Sequence, residues 1–79
     1  MANYRKKPII IQAFQLGIDV PPEWFRNSEN IYERDNEYII YTLEGDHIAN
    51  VGDFIIQGVK GELYPCKESI FYLLHEKVE

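Results

Sequence analysis

The sequence predicts a small α+β protein, in which a curved antiparallel β-sheet or partly open barrel carries one or two short helices. Apolar runs of strand length recur along the chain, and glycine, proline and aspartate punctuate them. Only two stretches suit a helix, and both are short. The chain has 79 residues, which indicates a single domain over 1–79.

The individual elements follow from apolar patterning and turn residues. A turn is expected over 17–20, a short helix over 21–28, and one helical turn after Pro65. The polar stretch 28–37 is expected to be a loop that holds at most a short strand or turn. Strands are predicted where apolar residues run or alternate: 8–16, 37–45, 47–49, 54–57, 62–64 and a closing strand over 72–78.

Several predicted strands are apolar on both faces, as in 9–11, 38–43 and 54–56. A small antiparallel sheet usually leaves one face in water. The second face therefore needs a cover, and we expect helices to cover part of it and another subunit the rest. The sequence predicts a homo-oligomer, either a dimer or a tetramer.

Charge and composition exclude several classes of function. The net charge is −5, and the segment 19–53 carries nine acidic residues against Arg26 and Arg34. Long DNA or RNA is therefore a poor partner, because phosphate contacts dominate that affinity. The apolar run 8–11 is far too short for a membrane span. One cysteine and no signal peptide indicate a reduced, cytosolic protein.

Catalytic and metal-binding patterns are weak. Cys66 could act as a nucleophile with His47 or His75 as its base, but a lone cysteine is more commonly a small packed thiol. Asp53 follows a glycine in a turn, where aspartate commonly accepts bonds from nearby amides. No zinc spacing and no phosphate-binding P-loop motif is present. We expect no enzyme, no metal and no cofactor.

Two basic and aromatic segments favour binding of an anion. The first is YRKKP, with Tyr4, Arg5 and Lys6; the second is VKGELYPCK, with Lys60, Glu62, Tyr64 and Lys67. Cations suit phosphates, aromatic rings suit bases, and amides near glycines can approach a phosphate closely. A solvated terminus and a hairpin tip would explain the same residues without a ligand. Trp24 is expected to belong to the core.

Three segments resemble a family of small proteins from phages and prophages: YRKKPIIIQAF at the start, TLEG at 42–45, and GDFIIQGVKGELYPCKESIF at 52–71. The family is similar to phage anti-defence nucleotide sponges, which sequester cyclic nucleotide signals of anti-phage immunity without cleaving them. The resemblance implies a binder of a cyclic nucleotide, such as a cyclic dinucleotide, in the host bacterial cytoplasm. It covers both ends and the middle of the chain.

The hypothesis of a nucleotide-binding protein assigns roles to particular residues. Arg5, Lys6, Lys60 and Lys67 would offset phosphate charge. Tyr4, Tyr64 or Phe14 would stack on a base, and Glu62 or Thr42 would contact polar base edges. The chain departs from the family pattern at Gln12, Gln57, Glu68-Ser69 and the YLLHEKVE ending. A rival hypothesis is a phage accessory protein that binds and inhibits a host protein through the acidic middle, Trp24 and Phe25.

Overall fold

The computed structural model describes residues 1–78, which form six strands and two helices. The strands are β1 (Gln12–Gln15), β2 (Ile31–Arg34), β3 (Glu37–Thr42), β4 (Gly45–Asn50), β5 (Phe54–Gln57) and β6 (Leu63–Cys66). The helices are α1 (Glu23–Arg26) and α2 (Glu68–Leu74). The predicted α+β class is confirmed, but the strands form two separate three-stranded antiparallel sheets and do not close into a barrel.

Sheet A has the strand order β1-β5-β6. Phe14 lies opposite Ile55, and Ile55 lies opposite Pro65. Because side chains alternate along a strand, Phe14, Ile55 and Leu63 point to the inner face of the sheet, while Phe54 and Ile56 point to the outer face. All three apolar residues of β5 are buried, so both faces of sheet A are covered.

Sheet B has the strand order β2-β3-β4. Tyr38 lies opposite Ala49, and both pack in the core with Ile40. The stretch predicted as a polar loop over 28–37 contains β2 and its turn to β3, where Asp35 adopts a φ of +55°. Aspartate is among the few residues that tolerate this left-handed conformation.

The two sheets and α1 share one core. Its buried members are Phe14, Leu16, Phe25, Ile40, Ala49, Ile55 and Leu63. Three edge-to-face aromatic contacts join these layers: Phe14 with Trp24, Phe14 with Phe25, and Phe25 with Tyr38. The prediction of a short helix that anchors itself in the core through its aromatic residues is confirmed.

Helix α2 covers part of the outer face of sheet A. The Phe71 ring stacks on Phe54 with ring centroids 3.9 Å apart, and a Gln15 side-chain amide donates to Glu68 at 3.0 Å. The predicted closing strand over 72–78 is wrong, since α2 continues to Leu74 and no strand follows it within the described residues. Phe71 and His75 are spaced four residues apart and stack on each other, which is a helical spacing.

The N-terminal segment 1–11, called the arm below, leaves the body of the protein. The predicted strand over 8–16 is correct only over Gln12–Gln15. Gln12 is paired with Gln57, the last residue of β5, and the chain then turns through the hairpin loop 58–62. Within the described residues, 8–11 therefore have no strand of their own chain to pair with. The molecule measures 47 Å along its longest axis.

Candidate functional site

The arm and the loop 58–62 lie at the same end of sheet A. This follows from the register, because β1 and β5 end together at the pair Gln12 and Gln57. Residues 1–10, including Tyr4, Arg5 and Lys6, are exposed, and Lys60 is exposed in the loop. Among residues 1–78, the ion pairs involve neither the arm's three basic residues nor Lys60. Four unpaired cations of an acidic chain thus belong to two neighbouring segments.

The loop 58–62 is shaped by Glu62. Its Oε1 atom accepts the Lys60 amide at 2.9 Å, and the Gly58 amide donates to the Glu62 carbonyl at 2.8 Å. A Cβ at Gly58 would collide with the Glu62 carboxylate, and Gly61 adopts a φ of +84°. Both glycines therefore have a structural reason to be there. Glu62 was predicted to contact a ligand, but one of its oxygens already holds the loop.

Tyr64 follows the loop and lies on the outer face of sheet A. It is paired with Ile56 and remains exposed. Burial raises the pKa of the Tyr64 hydroxyl, and the negative charges of Glu62 and Cys66 raise it further. The phenol is therefore neutral at physiological pH, and its ring lies beside the loop that carries Lys60.

Lys67 lies at the opposite end of β6. Because Cys66 is paired with Phe54 and Leu63 with Gln57, Lys67 follows the strand end that is farthest from the loop. Its Nζ atom lies 3.4 Å from Asp53 Oδ2, and the same oxygen accepts the Asn50 amide at 2.9 Å. Asp53 thus holds its turn as predicted. Lys67 does not join Lys60 and the arm in one site.

Two other predicted ligand residues have structural roles. Phe14 is buried in the core against Trp24 and Phe25, so its ring is not available to stack on a base. The Thr42 hydroxyl donates to the Gly45 carbonyl at 2.6 Å and accepts the Glu44 amide at 3.1 Å. Thr42 therefore closes the turn between β3 and β4, in sheet B.

The chemistry around Cys66 is unlike that of an activated thiol. Burial raises the pKa of the Cys66 thiol, and the negative charge of Asp53 raises it further. A catalytic cysteine needs the opposite shift, because the thiolate is the nucleophile. His75 Nδ1 lies 3.1 Å from the Phe71 carbonyl within its own helix. In the described part of the chain, no three His, Cys, Asp or Glu side chains cluster as metal ligands would.

Two surface depressions were not predicted. A groove of about 460 Å³ runs beside β1 and is walled on its other side by Asp19, Val20, Pro22 and Trp24. A cleft of about 310 Å³ is lined by Asp19, Glu33 and Asp35 together with Tyr38. The carboxylates of this cleft make it unsuitable for an anion. The excess of acidic residues over 19–53 indicated such a surface, but only the fold brings Asp19 close to β2.

The outer face of sheet B is a third feature of the surface. Tyr32, Ile39 and Ile48 form one row across the three strands, and Tyr41 lies next to it. Tyr32 and Ile48 are each about half exposed. An Arg34–Glu37 ion pair of 3.0 Å borders the row at one end. Apolar residues rimmed by charge are typical of a contact surface.

Comparisons with known proteins identified no relative of this chain. Within residues 1–78, no helix has both the length and the apolar character needed to cross a membrane. No family model matches the sequence, and no curated protein and no solved structure is significantly similar to it.

Proposed function

We propose that this chain is a phage-encoded nucleotide sponge, which captures a cyclic nucleotide signal without cleaving it and thereby protects the phage from host immunity. The observation that carries the proposal is that the arm and the loop 58–62 leave the same end of sheet A, and that their four cations have no ion-pair partner among the described residues. The protein would act in the host bacterial cytoplasm as a homo-oligomer. It would need neither a cofactor nor a catalytic group.

The proposed ligand site uses fewer residues than the sequence predicted. Arg5, Lys6 and Lys60 bind the phosphates, since charge-assisted hydrogen bonds are the strong ones. Tyr64 or Tyr4 supplies a ring for a base, because stacking tolerates any base. Glu62 keeps the loop amides in place. Phe14, Thr42 and Lys67 are left out because each is occupied elsewhere in the fold.

A cyclic dinucleotide has two phosphates and two bases, and a two-fold interface offers two copies of each binding residue. In the proposed complex each subunit therefore supplies one set of cations and one ring. The bound state would have one nucleotide per dimer or a simple multiple of that ratio.

Isothermal titration against a panel of cyclic di- and trinucleotides tests the proposal. We expect binding at micromolar protein, weakened about tenfold or more by Lys60→Ala or by Arg5→Ala, as for lost charge-assisted bonds. Lys77→Ala is the matched control, since it removes an exposed lysine outside the proposed site. Absence of binding across the panel would refute the sponge. Recovery of intact nucleotide after heat denaturation separates a sponge from a hydrolase, which would return products.

The outer face of sheet B supports a second candidate, a phage accessory protein that binds and inhibits a host protein. The contact surface would be Tyr32, Ile39, Tyr41 and Ile48, and not Trp24 and Phe25, which pack in the core. Phage growth on a host with cyclic-nucleotide defence discriminates the two candidates. The sponge predicts that Lys60→Ala abolishes protection and Ile48→Asp does not, whereas the inhibitor predicts the reverse.

A further inference from the structure

The free edge of β1 is open to another strand over a short, defined stretch. β1 is the edge strand of sheet A. The Leu16 amide donates to the backbone carbonyl of Asp53 at 2.8 Å. This bond continues the register in which Phe14 is paired with Ile55 and Gln12 with Gln57. Because backbone groups alternate in direction along an antiparallel strand, the amides of Gln15, Ala13 and Ile11 point away from β5.

This edge is closed at one end by the protein itself. The Gln15 amide donates to Asp19 Oδ2 at 2.9 Å, and the Gln15 carbonyl accepts the amides of Ile18 and Asp19. Ala13 has no comparable cap among the described residues. At the other end, the run of strand-forming apolar residues begins at Ile9, directly after Pro8. The open stretch with strand character is therefore Ile9–Ala13.

The residues of this stretch have strong strand character but little to pack on. Ile9 is 54% exposed and Ile10 is 78% exposed. β-branched residues favour strands, and an exposed apolar edge strand is a template for pairing with another chain. Native proteins usually block such an edge with charge, a bulge or a covering segment. Among the described residues, no charged residue, bulge or covering segment blocks the edge between Pro8 and Gln15.

The molecule exposes more surface than a compact monomer of its size. Its accessible surface is 6702 Å², whereas a compact 9.3 kDa protein exposes about 5,000 Å². Its radius of gyration is 13.5 Å, against about 12 Å for a compact chain of this length. The excess is about 1,700 Å², roughly twice the 800 Å² that a standard interface removes from each partner, so one such interface would account for about half of it.

The groove beside β1 is placed to receive a strand. Ile11, Ala13 and the backbone of β1 form one wall, and Val20, Pro22 and Trp24 form the other. Among the described residues, Asp19 is the only charged one that lines it. A ligand strand that is apolar and carries basic residues at one end would match both properties.

The arm itself has this composition. Arg5, Lys6 and Lys7 give residues 1–11 a charge of +3, which leaves five basic and thirteen acidic residues, a charge of −8, in the rest of the chain. When two identical strands pair antiparallel over Ile9–Ala13, the basic triplet of each copy extends past Ala13 of the other, toward its Asp19. Like charges are thereby kept apart and opposite charges meet.

We propose that two copies of this chain pair antiparallel through the free edges of β1, with each arm in the groove of the other copy. The paired edges join the two A sheets into one six-stranded sheet. A second copy is the occupant because the open edge and the strand that fits it are the same five residues, and because pairing of identical antiparallel strands closes with two-fold symmetry. The proposal concerns self-association without nucleotide and does not rest on the proposed function, because in this dimer the basic triplet of each copy lies near Asp19 of the other copy and not beside Lys60.

Sedimentation from low to several hundred micromolar protein, without nucleotide, tests the pairing. We expect a wild-type dimer. Ile11→Pro removes an amide that points to the partner, and it should weaken dimerisation at least about tenfold. Ile10→Pro is the matched control. It also replaces an isoleucine by proline, but the amide that it removes points away from the partner strand, so this variant should retain the dimer. A monomeric wild type, an unchanged Ile11→Pro dimer, or equal losses in both variants would each overturn the pairing.

Hydrogen exchange of the wild type gives a second test that does not depend on the folding of a variant. The amides of Ile11 and Ala13 should become protected as protein concentration rises, while the Lys60 amide in the loop should not change with concentration. A dimer without this protection would place the interface elsewhere. The result is also separable from the proposed function, since a dimer that binds no nucleotide refutes the sponge and leaves this interface standing, whereas a monomer that binds one refutes this interface and leaves nucleotide capture standing.

Discussion

The two sheets of this protein have similar apolar patterns and different surroundings. In sheet A, Phe54, Ile55 and Ile56 are all buried, because the core covers one face and α2 with its neighbours covers the other. In sheet B, Ile40 is fully buried, whereas Ile48 on the opposite face is 53% exposed. Sheet A and sheet B both have strands with apolar residues on both faces. In sheet A both faces are covered, whereas in sheet B one face is exposed.

The difference shows what an apolar pattern can and cannot determine. It marks a strand and indicates that both faces are suited to contact, but it does not name the segment that makes the contact. For sheet A this segment is α2, which comes from the same chain. For sheet B no segment of the described chain does so, which makes its outer face the natural place for a partner.

The largest expected difference in stability is between two isoleucine substitutions, one in each sheet. Ile55→Ala should lower the free energy of unfolding by about 2–5 kcal/mol, because it leaves a cavity at a fully buried position. Ile48→Ala should change it by only about 0.5 kcal/mol, as for an exposed substitution. Urea denaturation measures both, and Ile55→Val, expected at about 0.5–1.5 kcal/mol, serves if the alanine variant does not fold. Equal losses in the two alanine variants would mean that sheet B is covered in solution.

The cover of sheet A is tested by Phe71→Ala, which removes the ring that stacks on Phe54. We expect a loss of about 1–2 kcal/mol in the free energy of unfolding, from the apolar area and the ring contact together. Leu73→Ala is the control on the same helix, because Leu73 is 83% exposed. If the two variants were equally stable, α2 would contribute nothing to the covering of sheet A.

The hairpins of the two sheets should respond differently to glycine substitution. Gly58→Ala in sheet A should cost about 0.5–1.5 kcal/mol, because the new Cβ displaces the Glu62 carboxylate from the Lys60 amide. Most of this cost should disappear in a Glu62→Ala background. Gly45→Ala in sheet B meets no neighbouring atom but requires a φ of +121°, so its cost should not depend on any side chain. Additive losses for Gly58→Ala and Glu62→Ala in a double-mutant cycle would contradict this reading.

The smallest effect concerns Cys66, at the end of β6. Because its pKa is raised in the folded protein, the unfolded chain loses the thiol proton first as pH rises. Stability from this group is present below the ordinary thiol pKa and is lost at higher pH. Iodoacetamide should modify native Cys66 with a half-maximal rate at higher pH than in urea-unfolded protein, which is the internal control. An equal or lower midpoint would indicate an activated thiol.

Much of the fold was predictable because it depends on local patterns. β5 was predicted with its observed bounds, and α1 was predicted with its aromatic anchors. The errors lie where a local pattern depends on a distant partner. The strand expected over 8–16 is shortened because β5 ends at Gln57, and the strand expected over 72–78 is replaced by α2 because Phe71 stacks on Phe54.

The candidate site was predictable in part for the same reason. Arg5, Lys6, Lys60 and Tyr64 are exposed as a binding role requires, and the register brings the arm and the loop to one end of sheet A. Residue type alone could not separate them from Phe14, Thr42 and Lys67. Whether an aromatic ring, a hydroxyl or an ammonium is free for a ligand depends on contacts with residues far away in sequence.

The sequence by itself determined the α+β class, the acidic charge, the single cysteine and most of the strands, since these depend on composition and on the two-residue alternation of strands. Only the tertiary structure decided which apolar faces are covered, where Lys67 finds its partner, and that the arm has no strand to pair with. Those outcomes depend on register and on chain ends, because a strand can extend only as far as its neighbour continues.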